Sequence, residues 1–138
     1  MLKQLLVPEE LLQLNKLDSA KELCEDSSFL AIVGSDSLEL ANTLSKLFED
    51  TTNKFVPKTN NILQEIIPMK NDFVFINMYD VNNSEYIKNL LFYRDFIADN
   101  RLKIILLIDK KDYLDITKNA IDLYNITTFS YLFSTYKV

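Results

Sequence analysis

The sequence predicts an α/β fold: a three-layer α/β/α domain with a mainly parallel five-stranded sheet, preceded by an N-terminal helical arm. Three observations predict it. Apolar runs at Phe29–Val33, Phe73–Met78 and Lys103–Ile108 read as strands buried on both faces. Segments with helical spacing separate these runs. The connections are short, and strand–helix alternation with short connections demands parallel strands with helices on both sides of the sheet.

The elements follow in order. Residues 1–26 read as the arm: Leu11, Leu12, Leu14, Leu17, Leu23 and Cys24 recur at helix-like spacings, and Pro8 suits a first turn followed by Glu9 and Glu10. Leu2, Leu5 and Leu6 repeat the pattern more weakly, and Asp18-Ser19 is a candidate break into two short helices. The strand Phe29–Val33 ends at Gly34-Ser35-Asp36. A helix follows, with Leu38, Ala41, Leu44, Leu47 and Phe48 as its stripe and Ser35 or Asp36 as its cap. Between residues 51 and 71, Phe55-Val56 is expected to form a short strand. Ile62, Leu63, Ile66 and Ile67 are expected to form a short helix, bounded by Pro57 and Pro68. Then come a strand at Phe73–Met78, a helix at Ser84–Ala98, a strand at Lys103–Ile108, a helix at Asp112–Tyr124 and a strand at Thr127–Phe133. In the last strand Phe129, Tyr131 and Phe133 alternate with Ser130, Leu132 and Ser134, the pattern of an edge strand with one wetter face. No helix is expected to cover it. Residues 1–138 read as a single domain, with 1–26 the arm and 27–138 the sheet and its helices.

Composition limits the chemistry. With 138 residues, 48% of them apolar and 25% charged, the chain can bury one real core. Absence of His removes imidazole as base, shuttle or ligand. One cysteine, Cys24, permits neither an internal disulfide nor a thiolate zinc site within the chain. One glycine, Gly34, leaves no glycine-rich phosphate loop. No cofactor and no resident metal are expected. The net charge is −5, and the only arginines are Arg94 and Arg101, with lysines scattered among acids. Nucleic-acid binders concentrate cations, so no nucleic-acid partner is expected. The longest apolar run, Ile104–Ile108, is far below the roughly 20 residues that span a bilayer, so no membrane partner is expected either. Met1–Val7 runs into Pro8-Glu9-Glu10 without a secretory cleavage site, and an unpaired cysteine fits a reducing interior. The expected location is the cytoplasm.

Three groups of residues are candidates for function. Gly34-Ser35-Asp36 stands where doubly wound folds bind ligands, between a strand end and a helix start. Asp36 and Glu39 would repel phosphate there, which favours an ordinary capped helix start. Asp36, Asp80 and Asp109 follow successive strands and would converge if they held magnesium, yet aspartates in such loops also cap helices. The third group is aromatic. Helix 84–98 carries Ile87, Leu90, Leu91 and Ile97 on its core face with Arg94 on the same stripe, and Tyr86, Phe92, Tyr93 and Phe96 around the rest. Tyr113, Ile116, Leu123 and Tyr124 widen the next helix similarly. With 7 Tyr and 9 Phe, the choice is between an aromatic-rich core and a partner surface. The residues expected to meet a partner are Phe92, Tyr93, Phe96, Phe129, Tyr131 and Phe133.

Two family resemblances run through these segments. Phe29–Phe48 (FLAIVGSDSLELANTLSKLF), DFVFINMYD, LLFYRDFI with Arg94-Asp95, KIILLID and AIDLYNITTFSYLF together resemble the degenerate P-loop NTPase-like domains of bacterial signalling and defence effectors, relatives of the signal-transduction ATPases. The resemblance covers most of residues 17–133 and implies a scaffold that docks partners or oligomerises. A working Walker A motif is absent, which speaks against ATP hydrolysis. The second resemblance is to receiver domains of two-component signalling. Asn77 stands where a receiver holds its phosphoaccepting Asp, Gly34-Ser35 where the acidic pair belongs, and Ile108 where Thr or Ser is usual. That implies a pseudo-receiver. Strand order separates the two: receivers place the first strand between the second and third, the signal-transduction ATPases place the fourth between the first and third.

Taken together, the expectation is a non-enzymatic adaptor whose partner is another protein, in a hetero- or homo-oligomer. Alternatives are a pseudo-receiver and a small acidic immunity- or antitoxin-type inhibitor. A catalytic reading requires metal-assisted chemistry on Asp36, Asp80 and Asp109.

Overall fold

A computed structural model of the chain describes residues 8–23, 28–51, 53–55, 68, 72–79, 94–119 and 128–134. Its elements are α1 (Pro8–Leu23), β1 (Phe29–Ser35), α2 (Leu38–Thr51), β2 (Asn53–Phe55), β3 (Phe73–Asn77), α3 (Arg94–Asp99), β4 (Lys103–Asp109), α4 (Lys110–Asn119) and β5 (Phe129–Phe133). The fold is α/β. Its strands pair in the order β2-β3-β4-β1-β5, with every neighbouring pair parallel. The expected helix over Ile62–Ile67 and the first part of Ser84–Ala98 lie outside the described residues.

The two central strands are apolar because both of their faces are covered. β1 is buried along its whole length, and β4 from Lys103 to Ile108. Their alternating side chains feed two separate clusters. One holds Leu30, Ile32, Val74, Ile76, Ile104, Leu106 and Ile108 with Ile97 of α3 and Ile116 of α4. The other holds Phe29, Ala31, Val33, Phe75, Ile105, Leu107 and Phe133 with Leu14 and Leu17 of α1 and Leu40, Ala41, Leu44 and Phe48 of α2. Among the described residues, Lys103 is the one basic residue this burial takes in, and its ammonium lies 5.3 Å from the centre of the Phe73 ring.

Several expectations need correction. α1 runs through Asp18 and Ser19 without a break, since Leu14 and Leu17 before them and Ala20 after them all pack on the same cluster. Its Leu12 and Leu23 are exposed rather than on the core stripe. In α2 the stripe is Leu40, Ala41, Leu44 and Phe48 with Leu47 packed beside it, and Leu38 is 56% exposed. Neither Ser35 nor Asp36 caps this helix. Ser37 does: its Oγ accepts from the Leu40 N–H at 3.2 Å while its carbonyl accepts from Ala41 at 3.0 Å. α4 begins at Lys110, directly after β4, because Asp109 caps it through a 2.8 Å bond from the Asp112 N–H.

α3 ends without a glycine. The Leu102 N–H bonds the Ile97 carbonyl at 3.0 Å, and the Arg101 N–H bonds that of Ala98 at 3.2 Å. This is a Schellman motif, and it places Arg101 at φ 53°, a position where glycine is usual. Leu102 and Ile97 both sit in the aliphatic cluster, so the turn feeds β4 into the core.

Candidate functional site

The carboxyl ends of β1 and β4 lie side by side, with Ser35 in register with Asp109. This is where a ligand would enter a fold of this kind. The loop between β1 and α2 is only Asp36 and Ser37, and its polar groups serve each other. The Ser35 hydroxyl donates to the Ser37 carbonyl at 2.8 Å and accepts from the Ser37 N–H at 3.4 Å. Ser35 itself is fully buried. The N–H groups of Asp36, Ser37 and Leu40, which a phosphate at this turn would need, are engaged by the Phe133 carbonyl, Ser35 Oγ and Ser37 Oγ.

Gly34 has a different duty from the one a phosphate loop would give it. A Cβ there would lie 2.8 Å from Leu132 Cδ1 and 2.9 Å from two atoms of the Tyr113 ring. The glycine lets the Tyr113 ring settle on β1 and reach across to β5, where its hydroxyl meets Ser130 Oγ at 2.8 Å. Packing, not ligand approach, explains it.

Of the acidic constellation, Asp36 and Asp109 lie among the described residues. Asp109 is used as the α4 cap. Asp112 next to it has its carboxyl pushed up by burial first and then by the Asp109 charge. Asp80 lies outside the described residues. Among the described residues, no group of three or more His, Cys, Asp or Glu is placed to hold a metal ion. Asn77, at the receiver-like position, is tied down locally: its amide donates to Ser45 Oγ at 3.3 Å and its carbonyl accepts from the Tyr79 N–H at 3.0 Å. Among the described residues, no helix is long and apolar enough to cross a membrane.

The aromatic candidates divide. Phe92 and Tyr93 lie outside the described residues, and Phe96 is placed only as a backbone position within α3. Phe129, Tyr131 and Phe133 fall on one face of β5, as their alternation predicts. That face is not left uncovered. Phe133 is fully buried in the core, with Tyr131 edge-on to it at 4.8 Å between ring centres. Phe129 and Tyr131 are half-buried against the same cluster, which α1 helps to close. Phe133 is thus a core residue and not a surface anchor. The opposite face carries Ser130 and Leu132, and Tyr113 lies on it. What β5 leaves open is its outer edge: among the described residues it pairs only with β1.

Glu10 is the residue that sequence reasoning missed. It is 7% exposed, and its Oε2 is buried without a hydrogen-bond partner among the described residues. Its carboxyl accepts from the Tyr131 hydroxyl and from the Ser134 N–H. Burial pushes this carboxyl above its ordinary value of 4.5 and outweighs the Tyr131 and Ser134 hydrogen bonds, which pull it down. The charges of Glu9 and Asp36 push the same way as burial. The signal was available. Glu10, Leu14 and Leu17 stand at i, i+4 and i+7, so the carboxylate occupies the buried stripe of α1.

Compared with known protein families, with curated proteins and with solved structures, the chain shows no significant match.

Proposed function

We propose that the chain is a non-catalytic protein–protein interaction module, an adaptor of a bacterial signalling or defence assembly, on a three-layer scaffold of the degenerate P-loop type. The observation that carries this reading is β5: a parallel edge strand, covered on both faces, whose outer edge pairs with nothing among the described residues. An extended segment of a partner would add there as a further strand. Main-chain hydrogen bonds would supply affinity and the half-exposed side chains at the rim would supply selectivity. Strand order supports the P-loop-type ancestry over the receiver, because β4 stands between β1 and β3. The self-satisfied Ser35-Asp36-Ser37 turn supports a module that does not handle a triphosphate.

Hydrogen–deuterium exchange on the tagged chain, alone and with the partner captured from the native host, tests the reading. Amides of residues 129–133 should gain protection in the complex, while those of β3 and β4 stay as they were. A footprint that spares β5, or a chain that captures no partner and stays monomeric, would overturn it.

A further inference from the structure

We infer that α1 is a detachable cover over the aromatic face of β5, latched by the buried Glu10 carboxyl while it is neutral and loosened when it ionises. α1 holds the sheet with little: Leu14 and Leu17 are buried, Leu11 and Ala20 partly so, and Leu12 and Leu23 face solvent. Its contacts with the sheet fall mainly on β5. Within that narrow contact, Glu10 places a titratable group between helix and strand. The Tyr131 hydroxyl and the Ser134 N–H serve the carboxyl from the β5 side, and Oε2 has no partner among the described residues. A protonated carboxyl tolerates that site. An ionised one would bury a charge with an incompletely solvated oxygen, which is far more costly.

Among the described residues no cation relieves it. The charged groups that act on Glu10 among the described residues are Glu9 on its own helix and Asp36 in the turn after β1, both acids. Tyr131 stays neutral throughout, since burial, then the Glu10 hydrogen bond, pushes its hydroxyl up to about 12. Of the two hydrogen-bonded side chains, Glu10 is therefore the one that titrates. The sign follows: the docked arm holds the Glu10 proton more tightly than a released arm, so its contribution to docking is complete below 4.5 and is lost as pH rises through the raised value. Release would uncover Phe129 and Tyr131, the half-buried aromatics of β5. The role of the arm as a regulator of docking rests on the reading of β5 given above, whereas the latch itself belongs to the chain alone.

Hydrogen–deuterium exchange of the free full chain, expressed as protection factors between about pH 5 and about pH 8, reads the latch directly. The expected result is a loss of protection over residues 8–23 with rising pH, while β1 and β4 keep theirs. Glu10→Gln and Glu10→Leu, each neutral at every pH, should hold α1 protection constant over the same range. A wild-type α1 whose protection does not change with pH overturns the latch whatever the variants do. So does a loss that either folded variant reproduces. Failure of partner binding at β5 with the pH dependence intact would overturn only the docking reading.

Discussion

The two faces of this sheet are built from different materials. Among the described residues, one cluster is aliphatic, with Leu, Ile, Val and Met side chains meeting one aromatic, Tyr113. The other holds Phe29, Phe48, Phe75 and Phe133, with Phe73, Tyr79, Phe129 and Tyr131 packed against them. Buried ionisable groups appear only on the aromatic side among the described residues: Lys103, whose ammonium lies over Phe73, and Glu10, which meets the Tyr131 hydroxyl. The difference has a physical reason. An aromatic ring offers a cation its face, and a tyrosine offers a carboxyl group its hydroxyl, so plates of this kind can host a polar atom that Leu or Ile cannot. The polar exceptions of the described core lie where the surrounding rings offer them a partner.

The sharpest way to break this comparison is Phe75→Ala. Phe75 is fully buried on β3, with its ring centre 5.5 Å from that of Phe48. Its removal leaves a hole walled by a strand and a helix that cannot close, at a cost of about 3–5 kcal/mol. Ile76, the next residue, feeds the aliphatic face, and Ile76→Val should cost only about 0.5–1.5 kcal/mol. Urea unfolding measures both as shifts of midpoint at constant slope. Equal losses would mean that the aromatic face is no more dependent on its large rings than the aliphatic face is on its methyl groups.

The same division explains what the sequence made legible. Apolar runs gave β1, β3 and β4 to within a residue or two, because a strand buried on both faces has no room for polar residues. Alternation identified β5 as an edge strand and placed Phe129, Tyr131 and Phe133 together on one face. It could not say what covered that face, since periodicity reports which side chains agree with one another and not what they pack against. The helix caps were harder still. Ser35, Asp36 and Ser37 are equally good capping residues by type, and only the length of β1 decides that Ser37 is used. Glu10 was read as a favourable first-turn acid, which is the common case, and its i, i+4, i+7 alignment with Leu14 and Leu17 carried the exception.

On the aliphatic side, Gly34→Ala probes how tightly Tyr113 is seated. The backbone would accept alanine, because no glycine here has positive φ. The neighbours would not. Leu132 Cδ1 at 2.8 Å is the tip of a flexible side chain and can turn away, but the Tyr113 ring at 2.9 Å is fixed at its far end by Ser130. Overpacking of this sort costs about 1–3 kcal/mol, less the few tenths that alanine recovers by restricting the unfolded chain. Loss of stability together with a displaced Tyr113 signal in NMR spectra is the expected outcome. A neutral or stabilising substitution would show that the Tyr113 ring is loosely seated.

Arg101→Gly tests the smallest effect, and its sign is opposite. Arg101 holds φ 53° so that α3 can close its Schellman turn and deliver Leu102 and β4 to the aliphatic cluster. A residue with a Cβ resists that conformation, and glycine does not. Against this, glycine makes the unfolded chain freer, which returns part of the gain. The balance favours the variant by less than about 1 kcal/mol, visible as a small rise in the urea midpoint. Arg101→Ala keeps the Cβ and should show no such rise. If alanine and glycine behave alike, the gain comes from losing the exposed guanidinium and not from relief of the backbone. If neither stabilises, the turn is held so firmly by the Leu102 and Ile97 contact that its unusual residue costs nothing measurable.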